Sequence, residues 1–223
     1  MSEVDRPYAQ GTPCWVDLMA QDQKAAMAPE GQPEPPHVWT TYLASDNADE
    51  TARRIGEAGG TLLFPPMDVG DAGRMGVAAD PTGAVFGYWQ NKDFFGAVVV
   101  NEPGALIWSE CNTRDVPGAS AFYRSAFDID VQPMEGMEGY FAVNVGGKTI
   151  GGMQNMGTQF PEHVPPHWMT WFAVDDPDAT VAKAKSLGAT IPMEPADAPY
   201  GRFAAVSDPW GAVFCLLKPT PMA

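Results

Sequence analysis

Short runs of aromatic and β-branched residues recur along the chain, each followed by a stretch with helical periodicity and then by further short apolar runs. The run over 38–43 leads into an acidic cluster suited to capping a helix, and the helical stretch 49–58 ends at Gly59-Gly60. The run over 168–174 leads in the same way into a helical stretch over 178–187 that ends at Gly188. Three strand-like runs follow each helix. The last two are joined by Asp-Pro-x-Gly, a turn in which Pro fixes φ and Gly supplies a positive φ. The predicted order is β-α-β-β-β.

These two stretches are copies of one unit. The segment beginning PPHVWTTYLASD matches the one beginning PPHWMTWFAVDD, with Pro36 opposite Pro166 at an offset of 130 and Asp80 opposite Asp208 at 128, so one two-residue gap reconciles them. A weaker correspondence sets Trp15 opposite Trp108, an offset of 93. The first half is therefore shorter by 130 − 93 = 37 residues, three strands' worth, lost between about Met27 and Pro35. In the complete half this region holds the end of a helix at Phe122-Tyr123, strands over 140–145 and 148–153, and a loop to His163. In the first half it is the Pro-rich PEGQPEPP, which reads as loop. Either the first module is truncated or a segment is omitted from the chain.

Charge narrows the function classes. Thirteen Lys+Arg against 28 Asp+Glu give a net charge of −15, with no basic cluster, which disfavours nucleic acid and anionic membrane surfaces as partners. The expected partners are neutral, apolar or cationic small molecules. No apolar run approaches the roughly 20 residues of a membrane helix, and the start lacks the basic and apolar parts of a signal peptide, so a cytoplasmic location is expected. Cys14, Cys111 and Cys215 are far apart and without metal-finger spacing, and are expected as free thiols.

Four β-α-β-β-β modules in two pairs, with Trp-x-(Asp/Glu), Ala121-Phe122-Tyr123, Val174-Asp175-Asp176 and the Gly-Arg-x5-Asp-Pro-x-Gly spacing at Gly73–Gly83 and Gly201–Gly211, resemble the vicinal oxygen chelate superfamily. That superfamily includes glyoxalase I, bleomycin-resistance proteins and extradiol dioxygenases, and the pattern is most similar to actinobacterial two-domain glyoxalase-like proteins. The resemblance implies an α+β fold of two such domains, over 8–100 and 101–219, with the first module incomplete. In metal-dependent members a divalent ion is held by a His or Gln from each module's first strand and a Glu near the end of the last. The repeat places those positions at Trp108, Met169 and Cys215 in the second domain and at Trp15, Trp39 and Gly87 in the first. An indole has no available lone pair and a thioether is too soft for those ions, so no metal and no other cofactor is expected.

Several residues remain as candidates, each with a plainer alternative. Glu110 and Asp17 share strand parity with Trp108 and Trp15, and a carboxylate in an aromatic pocket would have a raised pKa and serve as a base or grip a cation. A strand carboxylate bound to a neighbouring strand or Arg explains the same pattern. His167 shares parity with Met169 and Trp171 and could act as acid or base at the rim, or Pro-Pro-His could simply start the strand. His163 and His167 are four apart, but Pro165-Pro166 forbid the helix that would make them a metal pair. Trp108, Trp168, Trp171, Trp39, Trp15 and Tyr42 suit either a pocket for a flat molecule or a packed core. Cys215 could be a nucleophile facing that pocket, but with no positively charged neighbour in sequence to lower its pKa it reads as a buried inert thiol. Arg202 and Arg74 recur before a strand, either to bind a ligand carboxylate or to hold a loop to its neighbour.

The leading reading is metal-independent binding of a small aromatic metabolite in the second domain, by Trp108, Met169, Trp171, Cys215 and Arg202, with Glu110 and His167 available for an isomerisation or cyclisation. The rival is a metal-dependent lyase or dioxygenase with ligands such as His167, Glu110 and Glu194. A third is a non-catalytic interaction protein that forms a homodimer through uncovered sheet edges.

Overall fold

The computed structural model describes residues 3–19 and 37–220. The N-terminal part contains β1 (Pro13–Leu18), β2 (Trp39–Ala44), α1 (Ala48–Glu57), β3 (Thr61–Val69), β4 (Gly73–Ala79) and β5 (Val85–Asn91), forming a five-stranded sheet in the order β1-β2-β5-β4-β3. The C-terminal part contains β6 (Leu106–Thr113), α2 (Val116–Phe127), β7 (Asp130–Pro133), β8 (Tyr140–Val145), β9 (Lys148–Asn155), β10 (His167–Ala173), α3 (Pro177–Ser186), β11 (Thr190–Ala198), β12 (Gly201–Ser207) and β13 (Val213–Pro219). Its eight strands run β11-β12-β13-β10-β6-β9-β8-β7. Each complete module thus places its first strand beside its last, and two first strands, β6 and β10, pair antiparallel at the middle of the sheet.

The helices begin where short polar side chains can satisfy free backbone N–H groups. Asn47 accepts from Glu50 N–H, Asp115 from Gly118 N–H, and Asp176 from Ala179 N–H. The helices expected over 49–58 and 178–187 therefore start one residue earlier, at Ala48 and Pro177. The short edge strand β7 had no periodic run to announce it.

Among the described residues the first module contributes one strand, β1. The stretch between Met27 and Pro35, where the repeat locates the 37-residue shortfall, lies outside the described residues. Part of the outer edge of β1 is met by the segment after β5: Ala97 N–H donates to Cys14 O at 2.8 Å, and the Tyr8 hydroxyl donates to Ala97 O at 2.7 Å. Gly96 makes this approach possible, with φ of +123° and a position where a Cβ would collide with the Cys14 carbonyl.

Helices α1 and α2 lie in a core shared by both parts. Leu43, Ile55 and Phe86 from the N-terminal part pack with Phe122, Tyr123 and Phe127 of α2, and the cluster continues to Cys111, Met153 and Trp168. A buried chain of hydrogen bonds crosses it. Trp168 Nε1 donates to the Tyr123 hydroxyl at 2.8 Å, which donates to Asp80 Oδ2 at 3.0 Å. Asp80 Oδ1 meanwhile accepts from Thr82 and Ala84 and closes its own turn. The Ala-Phe-Tyr and Asp-Pro-x-Gly motifs meet here, as structural rather than catalytic elements. Helix α3 covers a separate cluster of Val181, Ala204, Val206 and Leu216.

Candidate ligand-binding site

Strand alternation divides the central pair of the large sheet into two faces. Ser109, Cys111 and Trp168 face the helices, while Trp108, Glu110 and Asn112 on β6 share the curved face with His167, Met169 and Trp171 on β10. The register sets Trp108 opposite Trp171, Glu110 opposite Met169 and Asn112 opposite His167, and β13 sets Cys215 opposite Trp171. Phe203 and Ala205 of β12 extend this surface. Trp171 lies 5.8 Å from Phe203 and 6.4 Å from Tyr200 between ring centroids. Glu110, Trp171 and Cys215 are buried, whereas Trp108, Met169 and Phe203 are half-buried.

At the floor of this aromatic face is a three-residue chain. Trp108 Nε1 donates to the Tyr140 hydroxyl at 2.9 Å, and that hydroxyl donates to Glu110 Oε2 at 2.9 Å. Tyr140 reaches the carboxylate from β8 because Gly152 stands between them; a Cβ at that position would overlap the phenol. Sequence parity singled out Trp108 and Glu110 but missed Tyr140, since its role depends on which strand lies two places away. The register pairs Tyr140 with Gln154, and its ring crosses diagonally over Gly152, so no local pattern marked the contact. Beside Tyr140 the loop before β8 forms an open depression of about 430 Å³ lined by Met134 and Met137.

Burial raises the Glu110 pKa above the ordinary carboxylate value, and the hydrogen bonds from Tyr140 and Asn112 only partly oppose this. Tyr200 is pushed up to about 12 by burial, and then by the charges of Glu110 and Cys215. Burial, reinforced by Glu110, holds the Cys215 thiol well above its usual value, so it is a poor nucleophile. His167 is lowered by burial, partly offset by the Pro165 carbonyl, which lies 2.8 Å from Nδ1. The Trp171 indole N–H is buried with no hydrogen-bond partner among the described residues.

The expected site residues do not all converge. Arg202 lies on the other face, where its guanidinium pairs with Asp178 of α3 at 2.8 Å and with Asp197 at 3.1 Å. It is a strut between α3 and the sheet, not a pocket residue, and Arg74 does the same with Asp49 and Asp68. The assignment of Trp39 to the first-domain cavity is also corrected. Trp15 stands opposite Tyr42, which faces Gly87, so the strand equivalence between repeats is 129 here rather than 130. A one-residue slip turns a side chain to the other face. Trp39 accordingly packs behind the sheet against Phe172 and Phe214, at 5.0 and 6.2 Å. By the same equivalence Trp171, not Met169, stands between Trp108 and Cys215.

The donor set on the curved face does not fit the divalent ion that this fold holds in other proteins. Two indoles, a thioether and a thiol surround one carboxylate, which is already bonded to Tyr140. His167 is two strand positions beyond Met169, and Glu194 is engaged by Lys185 at 2.7 Å. Among the described residues, no three His, Cys, Asp or Glu side chains cluster as ligands.

Two curved sheets, each built around an antiparallel pair of module first strands, define a glyoxalase-type protein, and the chain belongs to the glyoxalase/bleomycin resistance protein/dioxygenase superfamily. Residues 6–88 match that superfamily and residues 108–217 match the glyoxalase-like domain family. CFP32 of Mycobacterium tuberculosis, which bears a glyoxylase name, is 40% identical over 256 aligned positions covering 96% of this chain and 97% of the relative. That alignment takes in 96% of the 223-residue chain, about 214 residues, so about 256 − 214 = 42 aligned positions of CFP32 have no counterpart here, near the 37 inferred from the internal repeat. The anthracycline biosynthesis protein DnrV of Streptomyces peucetius is 39% identical, covering 82% of this chain and 66% of its own length. Among solved structures, the Mn(II)-bound glyoxalase of Novosphingobium aromaticivorans shares the fold, with a TM-score of 0.58, 15% identity, and coverage of 99% of this chain and 85% of that one. Among the described residues no helix is long and apolar enough to cross a membrane.

Proposed function

We propose that the curved face of the eight-stranded sheet binds a flat aromatic small molecule without a metal, with Trp108, Met169 and Trp171 as contact surface and Glu110 as the orienting group. The observation that carries this reading is a buried carboxyl set in an aromatic face, with only uncharged partners, Tyr140 and Asn112. Such a group costs stability, and that cost is typical of sites where a ligand or a reaction needs it. The unpartnered Trp171 N–H supplies a donor for a ligand acceptor. The likeness to a protein named for anthracycline biosynthesis supports a polycyclic aromatic ligand.

The same geometry suits proton transfer. A carboxyl whose pKa is raised by burial can give its proton to a ligand carbonyl and take one back from an adjacent carbon, which is what an isomerisation or cyclisation requires. His167, whose pKa is lowered by burial, is the second group able to move a proton at the rim.

Titrating the full chain with 1,8-dihydroxyanthraquinone while following tryptophan fluorescence tests the site. Trp108→Ala and Trp171→Ala are each expected to weaken binding about tenfold or more, the scale of losing one stacked aromatic contact. Affinity should survive prior dialysis against a chelator. Unchanged affinity in both variants, or loss of binding after chelation, would overturn the reading.

A further inference from the structure

Among the described residues, the N-terminal sheet repeats the carboxylate-and-indole arrangement of the large sheet without a counterpart of Tyr140. Trp15 and Asp17 lie on β1 as Trp108 and Glu110 lie on β6, two residues apart and on one face. In the large sheet the Tyr140 hydroxyl satisfies both members, accepting from Trp108 Nε1 and donating to Glu110 Oε2. In the N-terminal sheet no counterpart of β8 occurs among the described residues. Tyr42, seated over Gly87, instead donates to Asp17 Oδ2 at 3.0 Å from the neighbouring strand and stacks on Trp15 at 4.5 Å. That substitution satisfies half of the arrangement. Trp15 Nε1, a donor, and Asp17 Oδ1, an acceptor, are both buried without a hydrogen-bond partner among the described residues. Thr40, opposite Asp17 on β2, also helps to stabilise the charged carboxylate.

We propose that this face is a second binding site, for a hydroxyl-bearing aromatic molecule whose hydroxyl fills the position that Tyr140 occupies in the other sheet. One hydroxyl oxygen can accept from Trp15 Nε1 and donate to Asp17 Oδ1 together. An ammonium has no acceptor, an ether has no donor, and a carboxylate would be repelled by Asp17. Trp89 and Phe94 stand edge-on to Trp15, each 5.4 Å away, and provide the aromatic wall against which a planar ring packs. Burial is the main cause that raises the Asp17 pKa above the ordinary carboxylate value.

The full chain labelled with nitrogen-15 in its seven tryptophan indoles reports this site directly. The Trp15 resonance is identified by its loss in Trp15→Phe. On titration with 2-naphthol it should shift and saturate, whereas 2-methoxynaphthalene, which cannot donate, should bind at least about tenfold more weakly there, and Asp17→Asn should reduce the naphthol affinity to a similar degree. A Trp15 signal that stays still while Trp108 and Trp171 move would overturn this proposal and leave the other site standing. Equal responses to naphthol and its methyl ether would also overturn it, by showing stacking without the hydroxyl.

Discussion

Glu110 contributes to stability in a direction that its surroundings dictate. Its folded pKa is raised, so the neutral form favours the native state; this contribution is complete below the unfolded glutamate value of about 4.3 and is lost as pH rises through the folded value. Glu110→Gln keeps the shape and the acceptor for Tyr140 but cannot ionise. Its stability relative to the parent chain should therefore increase from pH 4 to pH 7, as read from urea midpoints at each pH. A difference that falls with pH would show that the carboxylate is stabilised in the folded protein after all, and a constant one that folding leaves its pKa unshifted. Asp17 has the same sign of shift for the same reason, which makes the two sheets chemically as well as topologically related.

At the scale of elements, the joints between modules consist of buried hydrogen bonds as well as apolar contact. Tyr123 of α2 links β10 to the turn between β4 and β5 through Trp168 and Asp80. Tyr123→Phe preserves the ring but leaves Asp80 Oδ2 and Trp168 Nε1 without this partner, and is expected to cost about 1–3 kcal/mol in chemical unfolding. The surface ion pairs that tie α1 and α3 to their sheets, Arg74 to Asp49 and Arg202 to Asp178, are partly exposed and contribute much less. Arg202 thus serves the attachment of α3, and its removal should leave aromatic-ligand affinity unchanged.

Over the whole molecule the two sheets share the largest of their core clusters. Phe86 of β5 contacts Phe122, Tyr123 and Phe127 of α2 at 6.0, 5.7 and 5.6 Å, and Trp39 meets Phe172 across the back of the sheets. Separating the halves would expose these rings to water, at roughly 25 cal/mol per Å² of apolar surface. Calorimetry of the full chain should show one cooperative transition, and the fragment 101–223 alone should bind a hydrophobic dye and lack near-UV dichroism. Two well-separated transitions, or a fragment with native dichroism, would show that each sheet folds by itself.

The modules, their order, the helix caps and the pairing of Trp108 with Glu110 were legible in the chain, because hydrophobic periodicity, capping residues and Asp-Pro-x-Gly turns are local signals that a repeat reinforces. The free thiols were legible for the same reason of spacing, and Cys14, Cys111 and Cys215 are all free and buried. Side-chain convergence was not. A one-residue difference in register sent Trp39 behind the sheet and brought Trp171 to the centre, Tyr140 reached Glu110 across a glycine on another strand, and Arg202 turned to α3. Periodicity states which side chains share a face of one strand. Which strands lie adjacent, and in what register, is set by packing over the entire core, so only the tertiary structure could decide which groups meet.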